Sequence, residues 1–225
     1  MERLPQLRMR RRLHALPARA LPEGYTCRRL RAGEEAAWAA VLNGCGELGA
    51  WDEERIAKTL AGGITPGRIW FLCAADQPIA TACVRIHPGE AFGLGRSAFG
   101  SDRSGVSDMS DTEHRTPPPP PSAQAGTPKG CGEGRPAAEA EIGWVAVVPE
   151  HQGRGLGGQI TLAACHAARE LGFDEAFLFT DDFRLPAIKT YLNLGFTPDC
   201  WHESHAGRWT AILRALGYPD EATTK

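Results

Sequence analysis

The chain has 225 residues, 25 Lys and Arg against 27 Asp and Glu, a formal net charge of −2 and 42% apolar residues. That length allows one sizeable core or at most two small domains, and the near-neutral charge excludes a broad electrostatic trap for nucleic acid. No run approaches the roughly 18 uninterrupted apolar residues of a spanning helix, so no membrane partner is expected. Seven cysteines (Cys27, Cys45, Cys73, Cys83, Cys131, Cys165 and Cys200) are scattered and form no C-x-x-C pair. Several sit in apolar runs, as buried thiols do, and a reducing, cytoplasmic compartment is expected.

Residues 1–23 read as a basic N-terminal extension, with Arg8, Arg10, Arg11 and Arg12 crowded together. No apolar stretch follows them as in a secretory signal, and a frayed, solvated tail is expected. From Gly24 the pattern sharpens. Tyr25–Leu30 alternates as a strand, and Glu34–Leu42 suits a helix. Asp52–Leu60 is a second helix with Asp52 as N-cap, stopped by Gly62 and Gly63. Arg68–Ala75 and Pro78–Ile86 read as a hairpin of buried strands around Asp76 and Gln77.

Composition breaks over 89–138. Gly, Ser, Pro, Asp and Ala dominate, with an unbroken run at Pro117–Pro121. Such a segment buries too little apolar surface to offset its ordering entropy, so a disordered insertion is expected. Order returns with a strand over Glu141–Val148. Leu156, Ile160, Ala163, Ala167 and Leu171 then trace one helical face, closed by Gly172. Ala176–Thr180 is a short strand, and Pro186 opens a helix that runs to Gly195. The tail from Phe196 to Leu213 is expected to hold one or two more strands. Strand and helix alternating at short spacing mean an α/β domain with a local parallel crossover.

The turn Gln152-Gly153-Arg154-Gly155-Leu156-Gly157-Gly158 joins a strand to the start of a helix. Unpaired N–H groups at a helix N-terminus carry partial positive charge, and glycines let a phosphate approach. Arg154 can add a charge-assisted contact. Two ligand classes fit such a cradle. Gly153, Gly155 and Gly158 also satisfy the dinucleotide pattern G-x-G-x-x-G, with Asp181 at the end of the next strand, as in an NAD(P)-binding oxidoreductase. Against that reading, Pro149–Gln152 separate strand from glycine, much chain precedes the motif, and too little follows Asp181 to complete a doubly wound sheet.

The whole segment resembles the GNAT superfamily of N-acetyltransferases, whose signature is Q/R-x-x-G-x-G/A after a strand ending in V-x-P. Gln152, Gly155 and Gly157 carry it here, preceded by Val147 and Pro149. Downstream, Ala187, Tyr191 and Gly195-Phe196 match the family's A, Y and G-F, while Arg184 replaces its Asn. The resemblance is strong over 141–196, weaker over 24–88 and absent over 89–138. It implies a mixed, splayed central sheet flanked by helices over 24–218. It also implies acetyl-CoA as co-substrate, with no metal, and direct attack by an amine. The backbone of Val145, Ala146 and Val147 is expected to pair with the pantetheine arm, and Gln152–Gly158 to hold the pyrophosphate.

Tyr191 is the expected general acid toward the departing sulfur, and Glu141 the expected base through a water. The acceptor bears an amine, on a small molecule, a peptide N-terminus or a lysine, and a homodimer is compatible with the sequence. A non-catalytic acyl-CoA sensor is the alternative from another class. Trp38, Trp51, Trp201 and Trp209 are candidates to line an acceptor pocket, against the alternative of plain packing. Cys200, His202, Glu203 and His205 lack a fourth ligand at good spacing for a metal.

Overall fold

The structure, a computed structural model, describes residues 4–87 and 138–219. The disorder expected over 89–138 therefore lies outside the described residues, save Ala138. In chain order the elements are β1 (Leu7–Arg12), β2 (Tyr25–Arg29), α1 (Glu35–Gly44), α2 (Glu53–Ala61), β3 (Ile69–Ala74) and β4 (Gln77–His87). After the break come β5 (Glu139–Val147), α3 (Leu156–Glu170), β6 (Glu175–Thr180), α4 (Leu185–Asn193), β7 (Thr197–Asp199) and α5 (His205–Ala215).

Local chemistry accounts for most boundaries. The Asp52 carboxylate accepts from the Arg55 N–H at 2.8 Å and caps α2. The β3–β4 turn falls one residue earlier than the sequence suggested, on Ala75 and Asp76. Both take positive φ, +46° and +67°, which matches the twist of a two-residue hairpin. At the end of α3, Gly172 turns left-handed, and Phe173 N–H reaches back to Ala168 O while Gly172 N–H reaches Arg169 O. Leu171, the residue just before this Schellman closure, is 47% exposed rather than buried with Ile160 and Ala163.

Among the described residues the strands form one mixed sheet in the order β2-β3-β4-β5-β6-β1-β7. All neighbours are antiparallel except β5 and β6, which run parallel. Two cores result. On one face α3 lays Leu156, Ile160, Ala163, Ala164 and Ala167 onto Ala82, Val84, Ala140 and Ile142, with Ile188 and Tyr191 of α4 joining them. On the other face α1 and α2 cover Phe71, Cys73 and Cys83 with Trp38, Leu42 and Ile56. The expected α/β class and splayed sheet agree with this arrangement.

One expectation fails. The basic N-terminal segment is no frayed extension, because β1 inserts between β6 and β7, with Leu7 and Met9 fully buried. Two of its four arginines are paired with acids: Arg8 with Asp199 at 2.6 Å, and Arg10 with Asp199 at 2.5 Å and Glu139 at 2.8 Å. Arg8 and Arg10 also stand over the Phe177 ring. Partners this distant in sequence neutralise a run that looks solvated when read alone. The tail holds one strand, the three-residue β7, within the one or two expected, and adds the helix α5, which was not expected. His205, Trp209, Ile212 and Leu213 recur at helical spacing and are buried.

Met9→Ala is expected to lower stability by about 2–5 kcal/mol, the usual range for a buried methionine. Deleting residues 1–13 is expected to abolish cooperative unfolding. A frayed tail would leave the thermal melting curve unmoved by either change.

Candidate functional site

The parallel pairing of β5 with β6 covers only Ala140↔Ala176 and Glu141↔Phe177. Beyond Glu141 the two strands part, and among the described residues the β6-facing edge of β5 has no strand partner. The β4–β5 ladder shifts register between Thr81 and Cys83, and Trp144 adopts φ +46° there. A bulky residue at positive φ is strained by about 1–3 kcal/mol and marks a place where backbone direction matters. Packing holds it: the Trp144 indole meets Trp38 and Trp51 edge-on, with centroids 5.6 and 5.2 Å away. An unpaired strand edge can accept an extended polar chain as an added strand. Val145, Ala146 and Val147, the residues expected to pair with the pantetheine arm, lie along that edge.

The strand leads through a single helical turn at Pro149–His151 into the Gly-rich turn. The Gln152 side chain donates to Val147 O at 3.0 Å and fixes the turn to the strand end. Gly153 and Gly155 take φ of +74° and +73°, and a Cβ on either would meet nothing within 4 Å. Glycine is therefore demanded by conformation there rather than by crowding. Among the described residues the backbone N–H groups of Gly153, Arg154, Gly155, Leu156 and Gly157 find no acceptor. They lie at and just before the N-terminus of the 15-residue α3, whose dipole favours an anion. Gly158 brings α3 against α4, since a Cβ there would lie 3.5 Å from Thr190 Cγ2.

Arg154 stands at the rim, donating to the Tyr25 hydroxyl at 3.0 Å and to Glu150 O at 3.2 Å. Among the described residues no carboxylate lies within ion-pair reach of it. Its charge is uncompensated beside the open N–H groups, which suits a pyrophosphate. Tyr25 and His151, joined at 3.1 Å, complete this rim. The sequence offered no signal for either.

Tyr191 lies on α4, one residue beyond Thr190. It is 7% exposed, with its ring edge-on to Phe196. Its hydroxyl takes no hydrogen-bond partner among the described residues. Burial pushes the phenol up to about 12, with the nearby Arg184 opposing and Glu47 adding to the rise. The group is thus fully protonated at neutral pH and able to donate. Arg184, which replaces the family's Asn, joins two elements: it pairs with Asp181 at 3.1 Å and donates to Glu47 O at 3.0 Å. It ties the start of α4 to the α1–α2 loop.

Glu141 points to the sheet face opposite α3 and is only 5% exposed. Arg85 holds Oε1 at 3.1 Å, and His87 meets Oε2 at 2.5 Å. Gly143 makes room for this: a Cβ would sit 3.2 Å from both Arg85 Cδ and Cys83 Sγ. Arg85 continues over the Trp144 ring at 5.1 Å, connecting carboxylate and bulge. Sequence reasoning missed Arg85, His87 and Trp144. A lone glycine inside a strand was the available signal for the bulge. Of the tryptophans named as pocket candidates, Trp38, Trp51 and Trp209 are buried in packing, and Trp201 is 37% exposed. His202 bonds to Ser204 and His205 is fully buried. Among the described residues no three His, Cys, Asp or Glu side chains are grouped to hold a metal. Cys165 is buried, its thiol pushed up to about 12 by desolvation.

Gly155→Ala is expected to cost about 1–2 kcal/mol, the penalty of a side chain in the left-handed region. Gly155→Asn is expected to recover part of that loss, because Asn tolerates this conformation. Equal melting temperatures for wild type and Gly155→Ala would contradict the assigned turn.

The sequence matches the Acetyltransferase (GNAT) family over residues 37–196. A mycothiol acetyltransferase of a Nocardioides species is 27% identical over 208 residues, covering 84% of this chain and 56% of that protein. The mycothiol acetyltransferase of Nocardia farcinica is 43% identical over 58 residues, covering 26% of this chain and 19% of that protein. The chain thus spans about half or less of the length of these curated relatives. A GCN5-related N-acetyltransferase from Sphaerobacter thermophilus superposes with a TM-score of 0.55 at 15% identity, over 87% of this chain and 50% of that one. The NatC complex bound to Gag peptide and CoA superposes with a TM-score of 0.50 at 11% identity, over 80% of this chain and 92% of that one. The matched span contains the parted strands, the glycine cradle and Tyr191, and this chain belongs to the GNAT acetyltransferase family.

Proposed function

We propose that the chain transfers an acetyl group from acetyl-CoA to an amine by direct attack. The observation that carries this reading is the parting of β5 and β6, which leaves an open strand edge leading into the glycine cradle. Val145–Val147 would align the pantetheine arm, and the N–H groups of Gly153–Gly157 with Arg154 would hold the pyrophosphate. Acetyl-CoA supplies the activated thioester. An alkyl amine has a pKa of about 10 and must lose a proton before it can attack. Glu141 is the base proposed for that step. The unpaired N–H groups of β5 are available to the carbonyl oxygen as it gains charge. Tyr191 donates toward the departing sulfur.

The acceptor is an amine on a small molecule, a peptide N-terminus or a lysine. The relatives named mycothiol acetyltransferase make the acceptor of those enzymes the first to assay. The described cysteines are all free thiols, which supports a reducing, cytoplasmic setting.

Acetyl-CoA at 100 times its Kd is expected to stabilise the fold by about 2.7 kcal/mol. For a chain of this size that is roughly 5–11 °C in melting temperature. A shift with NAD and none with acetyl-CoA would sink the proposal, whereas a shift without CoA release from any amine would leave a binding module. Tyr191→Phe keeps the ring and loses the hydroxyl. It is expected to lower kcat about 10²-fold at unchanged acetyl-CoA affinity. Wild-type turnover in this variant would assign Tyr191 to packing alone.

A further inference from the structure

We propose that Arg184 closes the open end of the gap between β5 and β6, clasping the α1–α2 loop so that bulk water is kept from the thioester. It is a positioning residue, and the inference rests on the acetyl-transfer reading above. The gap is bounded at its start by the last ladder pairs, Ala140↔Ala176 and Glu141↔Phe177. From there β5 runs on to Val147 and β6 to Thr180 without pairing to each other. A ligand lying between two parted strands is exposed to water at their far end unless something crosses it.

The side chain of Arg184 crosses that end. It pairs with Asp181, the residue after β6, at 3.1 Å. It donates to Glu47 O at 3.0 Å and pairs with the Glu47 carboxylate at 3.6 Å. Glu47 belongs to the α1–α2 loop, which starts at the end of β5: a Cβ on Gly44 would lie 3.3 Å from Val148 Cγ1. Val148 is itself tied to the sheet, its N–H donating to Ile79 O at 2.9 Å. The guanidinium thus spans from the end of β6 to a loop fixed at the end of β5. Among the described residues no other hydrogen bond or ion pair joins residues 45–52 to β6 or α4.

The loop has a braced base and a hinged tip. Asn43 grips Trp51 twice, Nδ2 donating to Trp51 O and Oδ1 accepting from Trp51 N–H, each at 2.8 Å. Gly46 and Gly49 flank Glu47 and Leu48 with φ of +74° and +75°. The Glu47 carboxylate is 60% exposed, so its pairing contributes little, and the contact to the carbonyl is the firmer one. Asn, which the family has in place of Arg184, lacks the length and the fork of donors to hold Asp181 and Glu47 together. Ile188 and Tyr191 follow Arg184 at helical spacing and are buried, so the clasp and the proposed acid share one face of α4. Water competes with the amine for the same carbonyl. Its attack forms a C–O bond and breaks the C–S bond, releasing acetate, the free thiol and a proton. Excluding water prevents that loss. Glu141 lies at the opposite, paired end of the gap, so the clasp does not obstruct the amine.

Arg184→Gln shortens the side chain and removes its charge. The rate of acetyl-CoA hydrolysis without amine, relative to transfer with amine, is expected to rise about tenfold, as the loss of hydrogen bonds from a charged group allows. Acetyl-CoA affinity is expected to stay unchanged. Glu47→Ala keeps the carbonyl and is expected to leave the ratio near that of wild type. Amide hydrogen exchange reads the clasp directly. The N–H groups of Gly46 and Trp51, bonded to Asn43 at 3.1 and 2.8 Å, are expected to lose protection in Arg184→Gln, while those of residues 188–193 keep theirs. A wild-type ratio in Arg184→Gln overturns the clasp. So does an equal loss of protection along α4, which would make Arg184 a helix-end residue alone. If wild type releases no CoA with any amine, the acetyl-transfer reading fails by itself, and the clasp is judged by exchange. Unchanged protection of Gly46 and Trp51 then overturns it, and a loss confined to the loop supports it.

Discussion

Ladder hydrogen bonds between β5 and β6 stop after Glu141 and Phe177, and the sheet beyond that point must satisfy its backbone in another way. Continuous parallel pairing would close the gap and leave no edge for a ligand. The parting is held open from both sides. On one face α3 packs small residues against β4 and β5, so the strand cannot roll toward β6. On the other face the Trp38, Trp51 and Trp144 rings lock the bulge at which β5 changes direction. The strain of a tryptophan at positive φ is offset by that aromatic packing. A site of this kind depends on interrupted secondary structure, and the residues around it are those that stabilise the interruption.

Charge is distributed to the same end. Buried or half-buried ions on the β5–β6–β1 face occur in pairs: Arg85 with Glu141, Arg10 with Glu139 and Asp199, Arg8 with Asp199. Pairing of this sort contributes little net stability once desolvation is counted, but leaving one member alone would be costly. Arg154 differs, because it faces the cradle without a carboxylate partner. The contrast separates charges that maintain the fold from the one that the proposed function assigns to the pyrophosphate.

The sequence was most legible where the physics is local. The cradle could be read because strand, left-handed glycines and helix start follow one another within about a dozen residues. Asp52, Gly172 and Pro186 announced their helix ends for the same reason, since caps act over one turn. β1 was opaque because the acids that neutralise its arginines lie 129 and 189 residues away. The burial and partners of Glu141 were hidden because Arg85 and His87 are its neighbours only through the β4–β5 register. α5 was misjudged although Trp209, Ile212 and Leu213 carry a helical period, because the short strand ahead of it drew the whole tail into a strand reading. Trp144 was passed over as one more apolar strand residue, and only its backbone angle distinguishes it.

The place of β1 in the sheet also bears on how the chain is made. Among the described residues β7 is joined to the sheet only through β1, and β1 cannot take its place until Thr180 and its neighbours on β6 have been synthesised. During translation Leu7, Met9 and Leu13 therefore wait as exposed apolar side chains beside unbalanced arginines. The outer edge of β6 in turn emerges before a partner has docked. Contacts so distant in sequence form slowly, and a waiting edge invites pairing with other chains. Slow release from the ribosome, or a holding chaperone that shields nascent β1, would favour the correct insertion over association between nascent copies.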